Sequence, residues 1–266
     1  MLTYSFMQIA FVVAILLGAS LPLIGSGIVY KRLSSSGDAL AHSSLDGVAI
    51  GLVSGLNPLL ISVITCVVSF LIIELLRKKF SKFSEVGVVV VLSTAIGIAG
   101  ILSNYAKASN FDSYLFGSII LISNVELIAA IILTVGVLLF SILCYSQFFS
   151  GLYSENEAKI SGTKVGLYNF IHSLLLSITI AVGAKIVGSL VVSSMVVLPT
   201  AIALQFKKGY KATLLISVVV SLISMLSGLT ISYYADWSSG ATIVLVTVIL
   251  LVLVFIFRFV KNKIKR

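Results

Sequence analysis

The chain has 266 residues, of which 59% are hydrophobic and only 10% charged, and its net charge is +9. A soluble domain carries roughly 25% charged residues, so a water-soluble enzyme is excluded and the chain reads as an integral membrane protein. The basic residues sit in short clusters between apolar runs, a pattern of membrane topology rather than of a nucleic-acid-binding surface.

Apolar runs cover 6–30, 39–56, 58–76, 86–103, 125–148, 166–184, 186–206, 211–233 and 241–260. A span needs about 20 apolar residues, so the length holds at most roughly nine to ten. The runs predict an all-α polytopic protein of about nine spans (eight to nine), forming one transmembrane domain over residues 1–266. Met1–Gln8 carries no positive charge and the first run continues to Tyr30, which predicts a retained span rather than a cleaved signal. With nine alternating spans, sixteen basic residues fall on one side and only Lys107 and Lys185 on the other. The positive-inside rule makes the larger set cytoplasmic, with the N-terminus outside and the C-terminus inside a bacterial cell membrane. Two short spans meet around Val182–Ser193 with almost no loop, and Tyr114–Ile122 is apolar enough for a half-inserted outer helix. Cys66 and Cys144 lie inside apolar runs and form no Cys-x-x-Cys pair, so they read as small apolar fillers.

Gly37–Gly55 reads GDALAHSSLDGVAIGLVSG, with Asp38, His42 and Asp46 at i, i+4 and i+8. Residues four apart share a helix face. Ionisable groups at the bilayer centre cost at least about 2.5–3.5 kcal/mol each, so this stripe must face protein or water. Asp38 and His42 together offer a carboxylate oxygen and an imidazole nitrogen to one divalent ion, a mixture that zinc accepts and that manganese accepts with more oxygen. Asp46 lies two turns from Asp38, too far for all three to hold one ion on an undistorted helix. A helix cap by Asp38 with a hydrogen-bonded packing His42, or a proton relay, remains open.

The other polar residues have plainer readings. Glu74 is one turn from Lys78, which predicts an edge ion pair, while Glu85 and Glu126 each open a span and favour its dipole. His172 reads as a satisfied core group before it reads as a ligand. Lys185, Asp236 and Trp237 read as interfacial anchors. Ser154–Gly166, SENEAKISGTKVG, is the longest polar stretch on the basic side, and it reads as a short surface helix stopped near Gly162 or as a solvated loop.

GDALAHSSLDGVAIG resembles the second-span signature of the ABC-3 metal-permease family, the membrane subunits of bacterial zinc, manganese and iron importers. Val187–Gln205 is similar to that family's run around Pro199, and Ser113–Ser123, SYLFGSIILIS, to its outer L-F-G-x-I segment. The resemblance implies an importer fold shared with vitamin B12 permeases. It also implies a permease homodimer, two cytoplasmic ABC ATPase subunits and an extracellular metal-binding lipoprotein. It places metal at Asp38 and His42, and ATPase coupling in the segment at about 153–166, through Glu155, Glu157, Ala158 and Gly162. Asp46 departs from the family, which usually has a small residue or proline there; it adds a ligand, changes selectivity, or pairs with Lys185 or another base. The wording around Pro199 and in YSFMQIAF is closer to the zinc branch.

The expectation is ATP-driven uptake of Zn²⁺, next Mn²⁺, as transported substrate, with no permanently bound cofactor. The chain carries no G-x4-G-K-S/T loop, so hydrolysis is expected in the partner ATPase. Two rivals stand beside it: a secondary proton- or sodium-coupled transporter using Asp38, His42 and Asp46, and an importer permease for a metal chelate. Membrane lipid is the expected surroundings, and nucleic acid is not an expected partner.

Overall fold

The computed structural model describes residues 4–80, 84–103, 105 and 122–264. They form eleven α-helices: α1 (Ser5–Tyr30), α2 (Ser34–Ser54), α3 (Pro58–Lys79), α4 (Ser84–Ser103), α5 (Asn124–Leu143), α6 (Tyr145–Tyr153), α7 (Glu155–Ile160), α8 (Val165–Val187), α9 (Ser189–Leu204), α10 (Tyr210–Ala235) and α11 (Ser239–Ile264). The expected half-helix at Tyr114–Ile122 and the L-F-G-x-I resemblance at Ser113–Ser123 lie almost wholly outside the described residues.

Local chemistry sets the helix ends. Asn57 caps α3 by accepting the Leu59 N–H at 2.9 Å, and Pro58 fills the first position, where no N–H is needed. Ser123 and Glu126 form a reciprocal capping box at the start of α5. Between α8 and α9 the chain turns on one residue, Gly188, at φ 100° and ψ 147°, a conformation essentially restricted to glycine. This is the near-loopless junction expected around Val182–Ser193.

Seven helices among the described residues are long and apolar enough to cross a membrane, not nine: α1, α3, α4, α5, α8, α10 and α11. The two that fall short have different reasons. Helix α9 has 16 residues; at 1.5 Å per residue it reaches about 24 Å, short of the roughly 30 Å hydrocarbon layer. Helix α2 is long enough, but two aspartates, a histidine and a run of serines dilute its apolarity. Counting apolar runs overcounted because both helices are shielded by neighbours. Helix α2 packs on α3, α4, α8 and α9, and α9 packs on α1, α2, α8, α10 and α11.

Helix α1 runs through the middle, against α5, α8, α9 and α10. Leu17, Leu21 and Ile24 are fully buried with Ile180, Met195 and Met225. The outer faces are the reverse of a soluble protein's. Leu60, Leu75, Ile132, Ile142, Leu253 and Phe257 each remain more than half exposed, an apolar surface that only lipid or another membrane chain can cover.

Three polar contacts join α2 to α3. Ser44 Oγ and Ser62 Oγ lie 2.8 Å apart, Thr65 Oγ1 donates to the Ser43 carbonyl at 3.0 Å, and Cys66 Sγ donates to the Leu40 carbonyl at 3.2 Å. Small residues permit this approach. A methyl on Gly47 would overlap Thr65 and the Ser62 backbone, with the Ser62 nitrogen 2.7 Å away. Gly47→Ala is therefore expected to destabilise by about 1–3 kcal/mol, since the obstacle is main chain that cannot rotate aside. Gly97→Ala, with nothing within 4 Å, is the matched neutral control. Thermal unfolding in detergent reads the difference, and equal midpoints would contradict the close-approach argument.

Candidate functional site

Helix α2 follows α1 after the short link Lys31–Leu33, and its N-terminal half carries Asp38 and His42. The helical repeat brings them together as the spacing predicts: His42 Nε2 lies 3.9 Å from Asp38 Oδ1. That is too long for a hydrogen bond. It is close to the ~3.4 Å separating two donors that sit ~2.1 Å from a tetrahedral ion, a difference that a small rotamer change covers. Asp38 is 49% exposed and His42 25% exposed, so both can be reached from outside the chain. Among the described residues no three His, Cys, Asp or Glu side chains cluster tightly enough to hold a metal ion by themselves. One chain thus offers two donors.

Asp46 does not join them. It is 6% exposed and lines a cavity of about 280 Å³ between α2, α3 and α4, with Thr65 and Thr94 among the lining residues. Its Oδ1 is buried without a hydrogen-bond partner. The pairing considered with Lys185 does not occur.

Lys185 instead meets Glu126, Nζ to Oε1 at 2.7 Å, with 15% and 10% exposure. The second Glu126 oxygen accepts the Ser123 N–H at 2.8 Å. Lys185 is therefore a nearly buried ion-pair partner joining the C-terminal end of α8 to the N-terminal end of α5, not an interfacial anchor. The Ser123-x-x-Glu126 spacing could have announced the cap. The partnership with Lys185, 59 positions on from Glu126, had one available signal: alternation of the apolar runs puts the start of the 125–148 run on the same sparsely charged side as Lys185.

His172 is 2% exposed. Its Nε2 lies 2.8 Å from the Ile24 carbonyl, which can only accept, so Nε2 carries the proton. The ring stacks on Phe148 at 4.4 Å between centroids. This is the packing role that the sequence favoured. Glu74 pairs with Arg77 at 3.2 Å, and the Lys78 side chain expected beside it lies outside the described residues.

At the Lys-rich end, Ser154 caps α7 by accepting the Glu157 N–H, and Glu155 pairs with Lys159 at 2.9 Å. Ala158 is buried, Ile160 is exposed, and Gly162 closes the helix at φ 81°. Ser154–Gly166 is thus a short surface helix with a glycine stop rather than a plain loop. Lys31, at the end of α1, faces the same region. It donates to Asn169 Oδ1 at 2.8 Å and lies 5.5 Å from the Phe148 ring centroid. Burial, and then the Arg77 guanidinium, push its ammonium down from 10.5 to about 8, against the opposing pull of Glu74 and Glu155. The charged form is therefore disfavoured on folding; that cost is complete below about pH 8 and fades as pH rises toward 10.5. Selective ¹³C-dimethyl labelling of lysines should show one resonance titrating near 8, and Arg77→Gln should move that midpoint upward. A midpoint unmoved by Arg77→Gln would refute the coupling.

The profile of the ABC 3 transport family matches residues 3–258. A protein of Treponema pallidum (strain Nichols) named "Probable metal transport system membrane protein" is 37% identical over 255 residues, covering 96% of each chain. The manganese transport system membrane protein MntC of Halalkalibacterium halodurans is 29% identical, covering 97% of this chain and 89% of its own. The high-affinity zinc uptake system membrane protein ZnuB of Haemophilus influenzae is also 29% identical, covering 90% and 94%. Among solved structures, PsaBC from Streptococcus pneumoniae in complex with Fab superposes with a TM-score of 0.85 at 23% identity, over 96% of this chain and 92% of that one. The helix arrangement is thus a shared fold, and the match along nearly the whole length shows that this membrane protein belongs to the ABC 3 transport family.

Proposed function

We propose that the protein is the membrane permease of an ATP-driven importer of a divalent metal ion, Zn²⁺ ahead of Mn²⁺. The observation that carries this reading is the accessible Asp38–His42 pair, 3.9 Å apart on a helix otherwise packed inside the bundle. Relatives named for zinc and for manganese support the substrate class without choosing between the two metals. The preference for zinc rests on the likeness of the run around Pro199 and of YSFMQIAF to the zinc branch, and donor chemistry is compatible with it. Two permease copies would contribute two imidazoles and two carboxylates, a four-donor mixed set that suits zinc better than the more oxygen-rich sets of manganese.

In this reading a metal-binding lipoprotein delivers the ion at the sparsely charged, outer side. The ion passes along the dimer axis through Asp38 and His42 of each copy. A site on such a path holds the ion with few donors so that release stays fast. Cytoplasmic ABC ATPase subunits dock on α7, where Glu155 and Glu157 are exposed, Ala158 fixes the helix to the bundle, and Gly162 ends it. The reading places the N-terminus outside and the Lys-rich C-terminus in the cytoplasm, which the charge asymmetry between alternating apolar runs supports.

The test is uptake of radiolabelled zinc and manganese into inside-out-corrected vesicles containing the chain with its ATPase and lipoprotein. Uptake should require ATP and persist when the proton gradient is collapsed. Uptake that survives ATP depletion and follows the proton gradient would replace this reading with secondary transport.

A further inference from the structure

Where α9 ends and α11 runs past it, a cleft of about 460 Å³ opens at the Lys-rich end of the bundle, lined by Gln205, Lys207, Phe255, Ile256, Arg258 and Phe259. Its two halves have opposite chemistry. Lys207 and Arg258 supply two cations, and among the described residues neither is paired with a carboxylate. Lys207 is held in a left-handed conformation at φ 50°, and its N–H donates to the Leu204 carbonyl. Phe255 and Phe259, one helical turn apart, are 49% and 71% exposed, and Ile256 between them is 56% exposed.

Two uncompensated cations call for an anion, and the adjoining aromatic wall calls for hydrocarbon. The cleft sits where α11 passes from its long apolar stretch to the basic residues Arg258, Lys261 and Lys263, which is where a membrane presents headgroup and acyl chain together. A soluble phosphate would leave the phenylalanines bare. A second copy docked symmetrically would set these cations near their own equivalents.

We propose that this cleft is a binding site for one anionic phospholipid, with the headgroup phosphate between Lys207 and Arg258 and an acyl chain along Phe255 and Phe259. Basic pockets between membrane helices take anionic headgroups in this way. The site is separate from the transport reading and stands or falls without it.

The test is native mass spectrometry of the full chain, stripped of lipid in detergent and titrated with phosphatidylglycerol or with phosphatidylcholine of the same acyl chains. Phosphatidylglycerol should bind at least roughly tenfold more tightly, as expected for two basic contacts. Lys207→Gln with Arg258→Gln should erase that preference, and Lys207→Arg with Arg258→Lys should keep it. Phe255→Ala with Phe259→Ala should weaken both lipids alike. Lys261→Gln with Lys263→Gln, outside the cleft lining, should change neither. Equal binding of the two lipids to the unmodified chain would overturn the proposal, whatever the variants do. So would an equal loss in the Lys261/Lys263 variant, which would mean a diffuse basic belt. Full displacement of phosphatidylglycerol by inorganic phosphate would also overturn it, by assigning the cleft to a free anion.

Discussion

Asp38→Ala and His42→Ala should each lower ATP-dependent metal uptake by roughly a hundredfold or more. Loss of a group that only orients a metal ligand already costs 10–100-fold in affinity or activity, and these changes remove ligands outright. In a homodimer each substitution is made twice, so either variant would leave two donors of four. The double variant should be scarcely worse than either single one, because a site broken by the first change has little left for the second to remove. That non-additivity separates a shared ion site from two independent effects on folding, which would multiply. Asp38→Asn keeps the size and removes the charge, and it should resemble Asp38→Ala if the carboxylate binds metal. If Asp38 only caps or packs α2, Asp38→Asn should behave as the unmodified chain. Membrane abundance must be matched across the set. Uptake within twofold of the unmodified chain in abundant Asp38→Ala would sink the path-site reading and favour a chelate as cargo. Asp46→Asn supplies the contrast: its carboxyl faces the cavity between α2, α3 and α4, away from the pair, and uptake should persist.

Much of this site was legible because it depends on local periodicity. Asp38 and His42 meet because four residues make roughly one helical turn, and no tertiary information is needed for that. The stop at Gly162 was legible in the same way, as a residue type that ends a helix within one segment, whereas the Ser154 cap was found only in the structure. The Gly188 junction could be placed because two apolar runs met without room for a loop. What failed was whatever depended on neighbours. Apolarity gave α2 and α9 the status of spans, but it cannot say whether an apolar residue faces lipid or another helix. Asp46 looked like a third member of a stripe. The drift of about 40° per four residues on a helix, small over one turn, carries it over two turns toward α3 and α4. Lys185 looked like an anchor because nothing within several residues of it is acidic; its partner arrives from another helix.

That partner sets the second large expectation. Glu126→Ala should destabilise the protein by about 3–5 kcal/mol, since it strands the Lys185 ammonium in a nearly dry setting and also removes half of the α5 capping box. Glu126→Gln separates these contributions. Its amide oxygen can still accept the Ser123 N–H, so any loss it shows belongs to the charge pair rather than to the cap. Lys185→Met leaves Glu126 ionised with the Ser123 N–H as its remaining contact, and it should cost a comparable amount. The combined Glu126→Gln and Lys185→Met variant should recover most of the loss, because an apolar replacement of a whole buried pair is often neutral where half a pair is not. Unfolding of the unmodified chain, Glu126→Gln, Lys185→Met and their combination in one detergent at neutral pH gives the coupling energy directly. A coupling below about 0.5 kcal/mol would place the pair among solvated surface contacts and refute its role.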